Sequence, residues 1–280
     1  MISAARVLRL TGIEIAKMRR QRLAQVVCCV PVVAGALIPL ALSRSGREGL
    51  GGFLALTTSL ELSLLLASFL ILIQSALAVS WDRSEKTIRE SLAGPVLRSE
   101  IVLSRWLALE LELVLLLALV ALAALASTSA LYRFEDITAG AIEPLFYASE
   151  LRDHTLLGLA YHVPPAAALV TLGLLISVLA STPAMAAAVS AGSLLVLDVT
   201  KSLFSGASSA PQFLFNSYLP TLFDRTSYLH GVTQLSQGVS DVLWSDDSDA
   251  HRLVWLVSLG YAGAFLVISV LVFTVRDYAE

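Results

Sequence analysis

Charge is scarce in this 280-residue chain: Asp, Glu, Lys and Arg make up 15% of it, against 56% hydrophobic residues and a mean hydropathy of +0.78. Soluble domains carry about 25% charged residues, so an ordinary water-soluble domain is excluded and the apolar excess needs lipid as its solvent. Cysteine is nearly absent. Cys28 and Cys29 are vicinal within an apolar run, which excludes a disulfide framework and a Cys-rich metal site. Only three lysines occur, Lys17, Lys86 and Lys201, none preceded by Gly. The phosphate-cradling Gly-x-x-x-x-Gly-Lys-Ser/Thr loop is therefore missing, and with it ATP hydrolysis by that route. There is no His-Glu-x-x-His. The four histidines, His154, His162, His230 and His251, are scattered over polar segments and read as exposed loop residues, with a His154/His162 metal pair as the sharper alternative. A net charge of −3 gives no basic footprint for nucleic acid.

What is present is length of apolar sequence. A helix rises 1.5 Å per residue and the hydrocarbon layer is about 30 Å thick, so a crossing needs roughly 20 apolar residues. Six runs meet this, at 23–42, 53–80, 106–127, 163–180, 184–203 and 253–275. The first exceeds the usual length of a signal-peptide core, and no clear small-x-small cleavage site follows it. The reading is an all-α integral membrane chain forming a single transmembrane domain over 1–280. With the N-terminus inside, the inner segments hold twelve Lys and Arg and the outer ones six. The positive-inside rule then places both termini in the cytoplasm and makes 128–162 and 204–252 extracytoplasmic.

The polar segments carry chemistry. Along 1–22, Arg6, Arg9, Lys17 and Arg20 fall within an arc of about 80° of helix while Val7, Leu8, Ile15 and Met18 lie opposite, so an amphipathic helix on the inner membrane surface is expected. The bland alternative is a basic tail that only sets topology. In 81–105, Asp82 with Glu85 three residues on suggests a capping box. Asp82 with Lys86, Glu85 with Arg89 and Lys86 with Glu90 are opposite charges at i,i+4, and Gly94-Pro95 stops a helix. A short charged helix is expected there, suited to docking on a soluble partner that moves it.

This run resembles the cytoplasmic stretch of ABC type-2 permeases. Glu85, Lys86-Thr87, Leu92-Ala93-Gly94-Pro95-Val96, Arg98 and Glu100-Ile101-Val102-Leu103 occupy the places of that family's pattern, with Ser104 where Gly is frequent. The closing Phe273-Thr274-Val275-Arg276-Asp277-Tyr278 looks like its Phe-x-x-Arg-Asp tail, with Tyr278 for an aliphatic residue. The resemblance implies six spans, an elbow helix at the N-terminus and a cytoplasmic coupling helix between spans two and three. It implies the permease subunit of an ATP-driven exporter in the inner membrane of a prokaryote, paired with a second permease copy as a homodimer. ATP and Mg would sit on a separate dimeric ATPase, with no cofactor or metal held by this chain. Asp82, Arg83, Glu85, Lys86, Ile88, Arg89, Glu90 and Leu92 would be the coupling residues.

Ionisable groups within spans are costly to bury and point to function by default. Glu61, Asp198 and Lys201 lie toward the outer ends of their spans and are candidates for the path or its outer gate; the plainer reading is a structural role, with Asp198 and Lys201 paired at i,i+3. Glu110 and Glu112 differ by 200° in direction, so at most one faces a central path. Ala184-Ala188-Gly192 and Gly260-Ala264 permit close helix approach, within the subunit or at a dimer seam. The aromatic content of 204–252 suggests re-entrant or interfacial helices, and Glu143-Pro144 the start of an external one. Two other classes remain as alternatives. One is a non-transporting membrane enzyme or assembly factor, the other a secondary transporter or channel; the catalytic convergence or paired broken helices they would need are not evident.

Overall fold

The computed structural model describes residues 3–45, 51–85, 96–137, 145–204, 213–223, 227–239 and 248–276. The regular structure among the described residues is all helical, with an isolated bridge between Ile137 and Phe146. In chain order the helices are α1 (Ala4–Met18), α2 (Arg22–Arg44), α3 (Gly52–Ser84), α4 (Arg98–Leu131), α5 (Ala148–Leu179), α6 (Pro183–Phe204), α7 (Tyr228–Leu235) and α8 (Ser248–Val275). A 3-10 turn, Phe215–Tyr218, stands between α6 and α7. Six of them, α2 to α6 and α8, are long and apolar enough to cross a membrane. This is a multi-pass membrane protein.

The helices outrun the apolar runs because polar residues at their ends continue the hydrogen-bond ladder. At 33, 34 and 32 residues, α3, α4 and α5 are each about 50 Å long, well beyond the hydrocarbon layer. α5 begins fifteen residues before the expected 163. Its first turn carries Glu150, whose carboxylate accepts the Tyr147 N–H at 3.1 Å. Residues 138–144, and with them the expected Glu143-Pro144 start, lie outside the described residues.

Burial shows which helices are central. In α5, 72% of the apolar window is buried within the chain, against 17% in α8 and 22% in α2 and α6. α3 packs against α2, α4, α5 and α6, and α5 against α3 and α8, so α3 and α5 form the spine. Their contact depends on Gly173. A Cβ there would stand 2.0 Å from Ser75 Oγ and 2.7 Å from the Leu72 carbonyl, distances no side chain survives. The main core, from Leu60, Leu64 and Ile71 of α3 to Leu113 and Leu116 of α4 and Val170 of α5, lies along this spine.

α1 packs on α4, and the residues that meet it are polar, Ser3, Arg6, Thr11 and Glu14 among them. Thr11 is buried there and donates to the Ser104 carbonyl at 3.3 Å. Leu8, about 60° round the helix from Thr11, and Ile13, on the opposite side from it, stay exposed. The four-residue stripe Ala186, Ser190, Leu194, Asp198 faces inward along α6. Ala184 and Ala188 therefore face outward, and nothing lies within 4 Å of a Cβ built on Gly192 or Gly260. These small residues do not mediate packing within the chain.

Candidate functional site

At one end of the spine, polar side chains join α1, α3, α4, α5 and α8. Asp82, in the last turn of α3, is 2% exposed. Its two carboxylate oxygens accept from Lys17 of α1 and Arg105 of α4. Arg105 is itself buried and also reaches Glu14 of α1 at 3.3 Å and the Ala78 carbonyl at 3.0 Å. One turn toward the start of α4, the fully buried Glu100 accepts the Ser3 N–H at 2.9 Å and pairs with Arg6 at 3.1 Å. It also accepts the Leu97 N–H at 3.2 Å, so the acid caps α4 where the helix dipole favours negative charge. Burying these charges is tolerable because each is paired and hydrogen-bonded.

The expected capping box at Asp82 is therefore not formed. α3 continues through Ser84, and the carboxylate is drawn inward by the buried guanidinium of Arg105. Arg83 is also engaged, donating to the Ala180 carbonyl and to the Val178 carbonyl at 3.1 Å. Arg276, of the family-like tail, donates to the carbonyls of Val178 and Leu179 at 2.6 and 2.8 Å. Arg98 donates to those of Thr274 and Arg276 at 3.2 and 2.9 Å. Three guanidiniums thus cap the exposed carbonyl ends of α5 and α8, where cations are favoured. Glu85 is exposed at the end of α3 and accepts the Trp81 indole N–H at 2.6 Å. Lys86, Ile88, Arg89, Glu90 and Leu92 lie outside the described residues.

Deeper in the bundle, Gln74 donates to Glu112 at 2.6 Å, and the Cys28 thiol lies 3.7 Å from the same carboxylate. Glu110 instead accepts the Trp106 indole N–H at 2.9 Å. His162 is not in a loop. It is buried in α5, with Nε2 3.2 Å from Ser68 Oγ, while His154 Nδ1 lies 2.8 Å from the Tyr228 hydroxyl. These different partners separate the two histidines. Among the described residues no group of three His, Cys, Asp or Glu could hold a metal.

At the opposite end, Glu61 of α3 holds α7. Its carboxylate lies 2.8 Å from His230 Nδ1 and accepts from Thr233 Oγ1 at 3.4 Å. Asp198 and Lys201 are buried, but each serves the 213–223 segment: Asp198 accepts the Phe223 N–H at 2.9 Å and Lys201 donates to the Leu219 carbonyl at 3.0 Å. The expected pair between them yields to backbone groups that need partners at this depth. Asn216 donates to the Leu197 carbonyl at 2.7 Å, fastening the same segment to α6. Burial pushes the Tyr218 and Tyr228 phenols up to about 12, so both stay neutral at ordinary pH.

Sequence reasoning expected Asp82 and Arg83 to open a separate short helix after the second span; they lie instead in the last turn of α3, and Glu14, Lys17, Glu100 and Arg105 were missed as members of this junction. The available signal was opposite charge at one depth on either side of the 85–97 connection. His230 and Thr233 were missed in the same way, as partners for an acid inside a span. No family model matches the chain, and no curated protein matches it.

Proposed function

We propose that this chain is the membrane-spanning permease subunit of an ATP-driven exporter of the ABC type-2 kind, working as a pair of six-span halves in a prokaryotic inner membrane with both termini cytoplasmic. α1 is its elbow helix, and the segment containing 82–92 is its contact with a separate dimeric ATPase that holds ATP and Mg. The reading rests on the resemblance in 85–103 and 273–278. The observation that supports it most directly is the Asp82 junction.

The segment 86–95 joins α3 to α4 just beyond a point where α1, α3 and α4 are fastened by Lys17, Asp82 and Arg105. A push on that segment would move the three helices together instead of bending one. Arg83 extends the linkage to α5 through its carbonyl end. Closure of the ATPase would tilt this group and alternate access along a path between the two halves. At the outer end, Glu61, Asp198 and Lys201 hold α7 and the 213–223 segment, which would close the path.

The test is assembly. Affinity purification of the full chain from its native membrane should recover a P-loop ATPase in equal amount. Lys86→Glu together with Arg89→Glu, outside the Asp82 junction, should release it while the permease remains folded. Recovery of a transport-active chain with no ATPase bound, or labelling of 86–92 from the outer side of sealed cells, would overturn the proposal.

A further inference from the structure

α7 lies across α3 and α5 on the end of the bundle opposite Asp82, and packs against both. Leu229 joins the core of the spine, and Leu235 packs with Phe53 of α3 and Leu151 of α5. Gly158 of α5 makes room for the start of α7: a Cβ there would stand 3.2 Å from Leu229 Cδ1 and 3.3 Å from Tyr228 Cδ1. Two polar tethers add to this apolar seat, one to each helix, and each runs through a histidine. Histidine is the side chain that changes charge between about pH 5 and 8.

The tethers differ in what a proton does to them. Toward α5, His154 Nδ1 meets the Tyr228 hydroxyl at 2.8 Å. That phenol stays neutral, and a hydroxyl donates to a bare ring nitrogen or accepts from a protonated one, so this tether holds in both states. Toward α3, His230 Nδ1 meets a carboxylate, which only accepts. Glu61 is 5% exposed, and among the described residues His230 is its one ion-pair partner; its other contact is the Thr233 hydroxyl. A buried carboxylate without a cation is costly, and a proton on His230 supplies the cation. The far side of the ring accommodates that proton. Nε2 lies 3.3 Å from the Gln234 amide nitrogen, which donates to the neutral ring. Gln234 is partly exposed, and turning its amide presents the oxygen to a protonated one. Among the described residues, the titratable groups that face α7 from the helices packed on it are Glu61 of α3 and His154 and Tyr161 of α5; α7 itself adds Tyr228 and His230.

We propose that α7 is an acid-tightened clasp: a proton on His230 turns its hydrogen bond with Glu61 into a buried ion pair that draws α7 onto α3, and loss of the proton loosens it. The stabilisation is complete where free histidine is protonated, and it fades as pH rises through the range in which the clasped ring gives up its proton. The end of the bundle that α7 covers is therefore held more firmly in acid than at neutral pH. This holds whether or not the chain is an exporter.

Hydrogen exchange of the full chain in detergent, at about pH 5.5 and about pH 8 and corrected for the chemical pH dependence of exchange, tests it. Protection of 228–235 relative to α3 and α5 should be about fivefold higher in acid, the upper end of what a partly exposed ion pair contributes. His230→Asn keeps an N–H for Glu61 but takes no proton, and Glu61→Gln keeps an acceptor without charge. Each should level the two pH values, whereas His154→Asn should leave the difference in place. Level or falling protection in acid in the unaltered chain would overturn the proposal. So would a difference that survives His230→Asn or Glu61→Gln, or one that vanishes in His154→Asn. Should His230→Asn release α7 altogether, Glu61→Gln gives the same answer. Recovery of the ATPase is read separately, so either proposal can fail alone.

Discussion

Asp82 and Arg105 form a buried ion pair across the adjoining ends of α3 and α4, each about as inaccessible as the apolar core. Removing one partner of such a pair leaves the other charge buried and unmatched, which costs about 3–5 kcal/mol. Asp82→Ala is therefore expected to lower the melting temperature of the purified chain by about 10 °C. The double variant Asp82→Leu/Arg105→Met should recover part of that loss, since no fully buried charge is stranded and the more exposed Lys17 and Glu14 of α1 are left to water or to each other at i,i+3. Thermal melts of Asp82→Leu, Arg105→Met and the double variant form a cycle that decides it. Additive losses would show that the pair does not act as a unit.

Gly173 tests the spine. A methyl group there overlaps Ser75 Oγ and approaches the Leu72 carbonyl, so relief requires α3 and α5 to separate. Gly173→Ala should cost at least about 1–3 kcal/mol, and Gly173→Val should abolish folded yield. Ser75→Gly removes the nearest atoms and should restore part of the loss in the alanine variant. Size-exclusion yield and melting temperature are the readouts. Full stability of Gly173→Ala would show that the helices are further apart than described.

The six crossings were legible in the sequence because hydropathy reads the solvent directly. The lengths of the helices were not, because their ends are polar: Asp82, Glu100 and His154 look like loop residues to a window that counts apolar side chains, yet each lies in a helix. Asp82 was misread for a local reason. With Glu85 three residues on, it matches a helix start, whereas its actual partners are 65 and 23 residues away in Lys17 and Arg105. Asp198 and Lys201 fit an i,i+3 pair by spacing alone. Their real partners, a backbone N–H and a carbonyl in the 213–223 segment, carry no sequence identity that would announce them.

Glu61 and His230 form a latch that can be opened without touching the core of the bundle. α7 is eight residues long, too short to be stable alone, so it depends on this carboxylate and on burial of Leu229 and Val232. Glu61→Gln keeps an acceptor for Thr233 or His230 and should be mild, while Glu61→Leu cuts both from α3, leaving Thr233 only the Leu229 carbonyl and His230 only Gln234, both within α7. Hydrogen exchange at 228–235 should then rise by about tenfold or more, corresponding to roughly 1–3 kcal/mol of lost hydrogen bonding, with α3 and α5 unchanged. Unchanged protection of α7 in Glu61→Leu would assign its docking to apolar contact alone.

The carbonyl end of α5 distinguishes the roles of two arginines. Arg83 and Arg276 both reach Val178, but Arg83 alone also reaches Ala180 and Arg276 alone also reaches Leu179. Because the cap is shared, Arg276→Ala should be tolerated, costing about 1 kcal/mol, the ordinary worth of a hydrogen bond, as Arg83 still covers the helix end. Arg83→Ala/Arg276→Ala leaves the terminal carbonyls without a side-chain donor and the negative end of the dipole uncompensated. Its loss should exceed the sum of the two single losses, and exchange at the 180–186 turn should rise only in the double variant. Lysine at either position restores charge but not the two-pronged reach of a guanidinium, so Arg276→Lys in the Arg83→Ala background should recover only part of the stability. Full recovery by lysine would show that charge near the helix end matters, and that the paired carbonyl contacts do not.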